Sequence, residues 1–288
     1  MDRIEISIVI PTIGRPNLYP LLEKLKNQVI ENVYEVVLVS QNDLETYRIN
    51  DPRIKVFPQK PARGYAFYRN WGVGKASGDI IVFIDDDELP LDDHWLQNLT
   101  QPIVSGNADV TTAGYRIELG NGYLNDCVSL LGFPGGGAAG YLTIWPLDKN
   151  NRPVHLCGGN MAIRKRLFQN ISLPETLVYG CEDVYLSNLV RRNKISAAYC
   201  SEATVWHEPR KGFLNFISLN IRRGRSITQL LRTGCHIDQE LMIRLKSSWR
   251  IIMGVGLSHY LPGVIFSMMN QYFWQTWGLV KERFSLME

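Results

Sequence analysis

The chain has 288 residues, 45% of them apolar and 20% charged, with a net charge of +3. Those values belong to a folded globular protein and exclude a disordered or fibrous chain, and the charge is too small to indicate a nucleic-acid partner. The five cysteines, Cys127, Cys157, Cys181, Cys200 and Cys235, are odd in number and form no CxxC pair, which fits a reduced chain better than a disulfide framework or a zinc site.

Met1-Asp2-Arg3 leads directly into residues 4–11 (IEISIVIP), a β-branched apolar run that reads as a strand buried on both faces. This start lacks the apolar stretch and cleavage site of an export signal, so a cytoplasmic location is expected. Residues 16–28 place Leu18, Leu21, Leu22 and Leu25 at helical spacing behind Pro16, which suits a first helical turn. Residues 35–40 (EVVLVS) predict a second buried strand, 54–57 a short third and 62–75 a helix. Residues 79–84 (DIIVFI) then form another strand that ends in Asp85-Asp86-Asp87. This alternation predicts an α/β fold, a mostly parallel sheet flanked by helices, which binds ligands at the carboxyl ends of its strands. Thr12, Gln41-Asn42-Asp43 and Asp85-Asp86-Asp87 all fall at such ends. The second half is less regular. Residues 108–119 and 195–206 read as strands, 182–193 as a helix, and 132–140 (GFPGGGAAG) as a glycine-rich loop without dinucleotide-binding spacing.

Three consecutive carboxylates after a buried strand repel one another unless a cation neutralises them. Mg²⁺ or Mn²⁺, held by one or two carboxylates and by substrate phosphates, is one resolution. A solvated acidic turn ahead of the next helix is the other.

The surrounding motifs occur in a definite order. Val9-Ile10-Pro11-Thr12 with Arg15 comes first, then Ser40-Gln41-Asn42-Asp43, then Tyr68-Arg69-Asn70-Trp71-Gly72, then Ser77-Gly78-Asp79 and the acidic run. Gly158-Gly159-Asn160-Met161-Ala162, Gly180-Cys181-Glu182-Asp183 and His207 follow. The set resembles the family 2 glycosyltransferases of GT-A fold over residues 4–210. The resemblance implies one catalytic domain, residues 1–210, with a Rossmann-like nucleotide-binding half (1–105) and an acceptor half (106–210). It implies an inverting transfer from a nucleotide-sugar, a UDP-sugar before a GDP- or dTDP-sugar, to a glycan or lipid-linked acceptor. In that family's terms Asp85 and Asp86 of the DxD segment would face the nucleotide, and Asp87 and His207 would hold Mn²⁺ or Mg²⁺. Pro11, Thr12, Arg15 and Asn42 would line the base and ribose pocket, although many family members carry an acidic residue near Gln41-Asn42. Arg69 would stand near the phosphates, and Gly159 and Asn160 beside the donor or acceptor, with Asn160 bonding a sugar hydroxyl. Glu182-Asp183 matches the ED motif, which makes Asp183 the general base. Trp145 and Trp206 are candidates for stacking on sugar, with core packing as the alternative.

Composition changes near residue 210. Arg210, Lys211, Arg222, Arg223, Arg225, Arg232, Arg244, Lys246 and Arg250 face only Asp238 and Glu240, and residues 251–280 contain no charged side chain. Trp249, Tyr260, Tyr272, Trp274 and Trp277 are aromatic types that favour membrane interfaces. Residues 211–288 therefore read as a helical, basic and apolar extension: a single span, an interfacial helical pair, or a helical element packed on the catalytic domain or on a second subunit. The basic flank favours an anionic lipid surface, which would place the protein peripherally on the inner face of the cell membrane. The rival functions are a metal-dependent phosphohydrolase, a nucleotidyltransferase, and a non-catalytic sugar or lipid binder on the same fold.

Overall fold

The computed structural model describes residues 4–42, 44, 49, 51–59, 63–130, 137–139, 142–144, 147–208, 212–235 and 258–284, with the backbone alone at Ser258 and in the antiparallel pair β8 (Gly137–Ala139) and β9 (Leu142–Ile144). The expectations for Asp43, Trp145, Arg210, Lys211 and most of the 132–140 loop lie outside these residues, as do those for Trp249 and the cations between 236 and 257.

A seven-stranded sheet organises the molecule. Strands β1 (Ile6–Thr12), β2 (Tyr34–Ser40), β3 (Ile54–Pro58) and β4 (Ile80–Ile84) run parallel in the order β4-β1-β2-β3. Every residue of β1 and β4 is buried, because helices cover both faces. Alternate residues of β1 serve different cores. Ile6, Ile8 and Ile10 pack with Leu18, Leu21 and Leu25 of α1 (Leu18–Lys26) and with Trp95 and Leu99 of α3 (Trp95–Val104). Val9 packs with Phe67 and Tyr68 of α2 (Tyr65–Lys75) and with Val184 and Leu186 of α5 (Glu182–Arg192). Each such fully buried side chain stabilises the fold by roughly 1.5–3 kcal/mol before entropy is counted. The sheet continues beyond β4 with β10 (Asn160–Arg164), which is antiparallel, then β6 (Val110–Thr112) and β11 (Ala197–Tyr199).

Two stretches expected as single strands are each divided between two sheets. Residues 108–119 give β6 in the large sheet and β7 (Tyr115–Arg116) in a small one. Residues 195–206 give β11 and, after a short 3₁₀ turn at Ser201–Ala203, β12 (Val205–His207). The small sheet has the order β5-β12-β7, where β5 (Glu88–Pro90) directly follows the acidic run. Asn160 welds the two sheets. Its carboxamide donates to the Gly114 and Ala203 carbonyls, both at 2.8 Å, and accepts from the Trp95 indole at 3.1 Å.

Among the described residues no helix is long and apolar enough to cross a membrane, so the single-span reading finds no support there. Helix α6 (Phe213–Arg232) and the last helix, α7 (Leu261–Phe284), pack side by side and run in the same direction. Asn220 meets Gln275 (3.2 Å), and Arg225 meets Glu282 (2.7 Å). Gly224 and Gly278 permit the close approach: a Cβ on Gly224 would lie 1.9 Å from the Gln275 carbonyl oxygen, and one on Gly278 2.0 Å from that of Ile221. Tyr260 has partners within the protein. It stacks on Tyr123 of α4 (Tyr123–Leu130) and donates to Asp126 at 3.1 Å, which anchors the start of α7.

Candidate active site

Because β1, β2 and β4 are parallel, their carboxyl ends converge on one edge, and the register brings Thr12 beside Ser40. Thr12 donates its hydroxyl to Asp86 (2.7 Å), and the Ile13 N–H adds a bond of 3.3 Å to the same oxygen. Asn42 donates to the Ile13 carbonyl at 2.7 Å and closes the β1 and β2 ends over each other. Pro11 is buried within β1 opposite Val39. The Arg15 guanidinium bonds Asp87 and lies 3.7 Å from Asp86. Arg69, on α2, is 1% exposed; it donates to Asp85 at 2.7 Å and stands 3.4 Å from Glu182. Buried Arg69 therefore joins the acidic run to the Glu182-Asp183 pair. In the protein alone, two arginines balance the carboxylates where a metal was expected to do so. The balance is incomplete: burial pushes Asp86, Glu88 and Glu182 above the usual carboxylate range, and Asp85 and Asp87 push Glu88 further. Arg69 Nε and Nη1 and Glu182 Oε2 are buried without a hydrogen bond.

His207 reaches this cluster through the small sheet. Antiparallel pairing of β12 with β5 sets His207 opposite Glu88 and brings Nε2 to 3.9 Å from Asp87 Oδ1. Its Nδ1 lies 2.8 Å from the Glu208 carbonyl, which can only accept, so Nδ1 carries a hydrogen, and the neutral form of the ring would present the Nε2 lone pair toward Asp87. This tautomer, held by a backbone carbonyl, is the one a metal-ligating histidine uses. Among the described residues no group of three or more metal-binding side chains occurs. A cation shared by Asp87 and His207 would need further oxygens from substrate or water, as Mg²⁺ and Mn²⁺ sites commonly do.

The second half of the site begins at an unusual backbone. Gly180 (φ 119°) and Cys181 (φ 69°) both have positive φ immediately before α5, and left-handed geometry at a non-glycine costs about 1–2 kcal/mol. The bend brings Glu182 onto Arg69 and leaves the Asp183 side chain 26% exposed. Asp183 accepts the Val184 N–H at 2.8 Å and lies 3.4 Å from His155 Nε2. Burial pushes its carboxyl up, but His155, the Val184 N–H and Arg69 outweigh that and hold it below the usual range.

The glycines before β10 thread between these groups. A Cβ on Gly158 would lie 3.1 Å from Arg69 Nη1 and 3.2 Å from Asp183 Cβ, and one on Gly159 2.3 Å from a Glu88 carboxylate oxygen. Gly159 thus backs onto Glu88. Asn160 is the one clear correction: it is fully buried and its amide is spent inside the protein, so it has nothing to offer a sugar hydroxyl. Trp206 is half-buried on β12 beside Arg116. Sequence reasoning missed His155 and Glu88. His155 sits three residues ahead of the glycine pair with no spacing to mark it, and Glu88 reads as one more acid in an acidic run.

Residues 7–172 match the family described as Glycosyl transferase family 2. Among curated relatives, the O-antigen biosynthesis protein RfbC of Myxococcus xanthus is 27% identical over 138 residues, 46% of this chain and 11% of that protein. Glycosyltransferase GlyG of Streptococcus pneumoniae is 25% identical over 118 residues, 38% of each. The matches thus span well under half the length of these relatives. Among solved structures, the mannosyltransferase PcManGT of Pyrobaculum calidifontis, in complex with GDP-Man and Mn²⁺, superposes with a TM-score of 0.67 at 15% identity, covering 98% of this chain and 88% of that one. S. aureus TarS 1-349 in complex with UDP-GlcNAc gives 0.56 at 16% identity, covering 93% and 80%. The expected GT-A fold is borne out by these superpositions.

Proposed function

The chain belongs to glycosyl transferase family 2, and on that premise we propose that it transfers a sugar from a nucleotide-sugar to an acceptor hydroxyl, with inversion and with a divalent cation. The observation that carries the reading is buried Arg69, which ties the acidic strand end to the Glu182-Asp183 helix start and so holds a donor-side and an acceptor-side carboxylate in one rigid unit. Neither rival enzyme class calls for that link, and both would want their chemistry after β1, where only Thr12 and Gly14-Arg15 lie.

In this reading residues 1–105 hold the donor, 106–210 the acceptor, and 211–288 form an appended element. Pro11, Thr12 and Asn42 border the base and ribose, with Asp85 and Asp86 beside them. Arg15, 35% exposed and lying across Asp86 and Asp87, is the cation of the cluster best able to swing onto a diphosphate. Asp87 and His207 would hold Mn²⁺ or Mg²⁺, which when bound would neutralise charge on the departing nucleoside diphosphate. Asp183 is the general base. Its lowered pKa keeps it ionised at neutral pH, and its carboxylate takes the acceptor hydroxyl proton as that oxygen attacks the anomeric carbon. Glu182 holds Arg69 in place.

A UDP-sugar is the first donor to try; the structural neighbours were solved with GDP-Man and with UDP-GlcNAc, so guanine remains the second. The acceptor in this reading is a lipid-linked or growing surface glycan; the Myxococcus relative is named for O-antigen biosynthesis, which agrees with a glycan product. A thermal-shift panel of UDP, GDP, dTDP and CDP, each with and without Mn²⁺, tests the site. A ligand that binds only the folded state raises the melting temperature. We expect one nucleotide to do so in a Mn²⁺-dependent way. No shift with any of them would overturn the donor site and return the chain to the sugar- or lipid-binder reading.

His155 supplies a pH test. Its hydrogen bond and charge oppose the upward push of burial on Asp183, so His155→Gln weakens the lowering influences, leaving those of the Val184 N–H and Arg69, while the raising one stays whole. Asp183 then protonates at higher pH, and the acid limb of the kcat profile moves upward while activity on the alkaline side is largely kept. A uniform loss at every pH, with an unmoved limb, would show that His155 only supports the fold.

A further inference from the structure

Helix α7 turns its polar side inward. Ser267, Gln271 and Glu282 are buried, along with Gly263, Val264 and Gly278, and Glu282 accepts from Arg225 (2.7 Å) and Gln229 (3.0 Å) of α6. At about 100° per residue, Phe266, Met269, Phe273, Trp277, Val280 and Phe284 fall within roughly a third of the circumference on the opposite side. These six side chains are between 37% and 66% exposed. A helix on the surface of a water-soluble domain shows the reverse arrangement, with its apolar stripe toward the core. The stripe of α7 therefore calls for an apolar cover.

Charge selects among the possible covers. Residues 211–288 carry ten Lys and Arg against four Asp and Glu, whereas the other 210 residues are net acidic. One of those four acids, Glu282, is buried against Arg225. Exposed Lys281 and Arg283 stand on opposite edges of the stripe, where their stems can lie along it while their charges reach outward. A second copy would set its own cations against these, whereas an anionic lipid surface attracts them. A single convex row of large side chains along a helix about 36 Å long is the shape of an element that lies flat, with its apolar face in the boundary between headgroups and acyl chains.

We propose that the outer face of α7 docks flat on an anionic lipid surface, without crossing it. The inference stands on the exposure and charge of α7 and does not depend on the transferase reading.

The test is co-flotation of the full chain with vesicles of phosphatidylcholine alone and of phosphatidylcholine mixed with phosphatidylglycerol. The protein should float with the anionic vesicles, and less so in high salt. Phe273→Glu combined with Trp277→Glu should lower the partition coefficient by roughly a hundredfold. Lys281→Gln combined with Arg283→Gln, a milder change at exposed positions, should weaken binding to the anionic vesicles alone. Nucleotide-induced thermal shifts should be the same for all three proteins, which separates failure here from failure of the donor site. Absence of the wild type from the floating fraction with both vesicle types would overturn the proposal, as would flotation of both double variants at the wild-type level. A dimer in light scattering that the Glu variant converts to monomer would instead identify the stripe as a contact between copies, and would overturn it equally.

Discussion

Asp183→Asn is expected to bind the donor nucleotide as the wild type does and to transfer sugar roughly 10²–10⁴-fold more slowly, the usual worth of a positioned general base. The substitution keeps shape and keeps an oxygen for the Val184 N–H, so α5 starts in the same way. It removes the basic oxygen on a side chain that is partly open to an approaching acceptor. Calorimetric titration of the nucleotide and single-turnover transfer, run on the same preparation, separate the two effects. Transfer at the wild-type rate would remove Asp183 from the base role. Glu182→Gln makes a useful contrast: Glu182 is buried against Arg69, so its loss should lower the melting temperature as well as the rate.

Asp87→Asn is expected to abolish the Mn²⁺-dependent part of nucleotide binding while leaving the metal-independent part. Even the loss of a group that merely orients a metal ligand weakens metal binding about 10–100-fold, and a ligating carboxylate should count for at least as much. The change also frees Arg15 from one of its two carboxylate partners, but that pair is partly exposed and of small energetic worth. The readout is the difference in nucleotide affinity with and without Mn²⁺, measured for both proteins. Should the Mn²⁺ increment survive the substitution, the cation sits elsewhere and Asp87 serves chiefly to hold Arg15. His207→Ala should lose the same increment, since Nε2 faces the Asp87 carboxylate.

Strands β1, β2 and β4 were legible because each is an unbroken apolar run, which is what burial on both faces requires. Helix α5 was legible from its spacing, and the acidic run and the Glu182-Asp183 pair because each is contiguous in the chain. Chain order alone therefore determined the family resemblance, the parallel half of the sheet, and the edge at which a nucleotide site would form. A different kind of information was needed to see how the two acidic motifs meet. Arg69 and Glu182 are far apart in sequence, and only the packing of α2 and α5 on the same face of the sheet joins them. Strand β5 has three residues, too short to show a period, yet its pairing with β12 is what delivers His207 to Asp87. Asn160 looked like a binding residue because its motif is polar and glycine-rich; tertiary structure made it the joint between two sheets by supplying a partner for every atom of its amide. The apolar character of residues 261–284 was plain from composition, but which side of the helix faces outward was decided by Glu282, whose carboxylate is satisfied by Arg225 and Gln229 of α6, with Gln271 and Ser267 buried on the same side. A sequence states which groups are present and how they are spaced locally. Which of them can satisfy charge and hydrogen bonds with a distant partner is settled only when the chain has closed on itself.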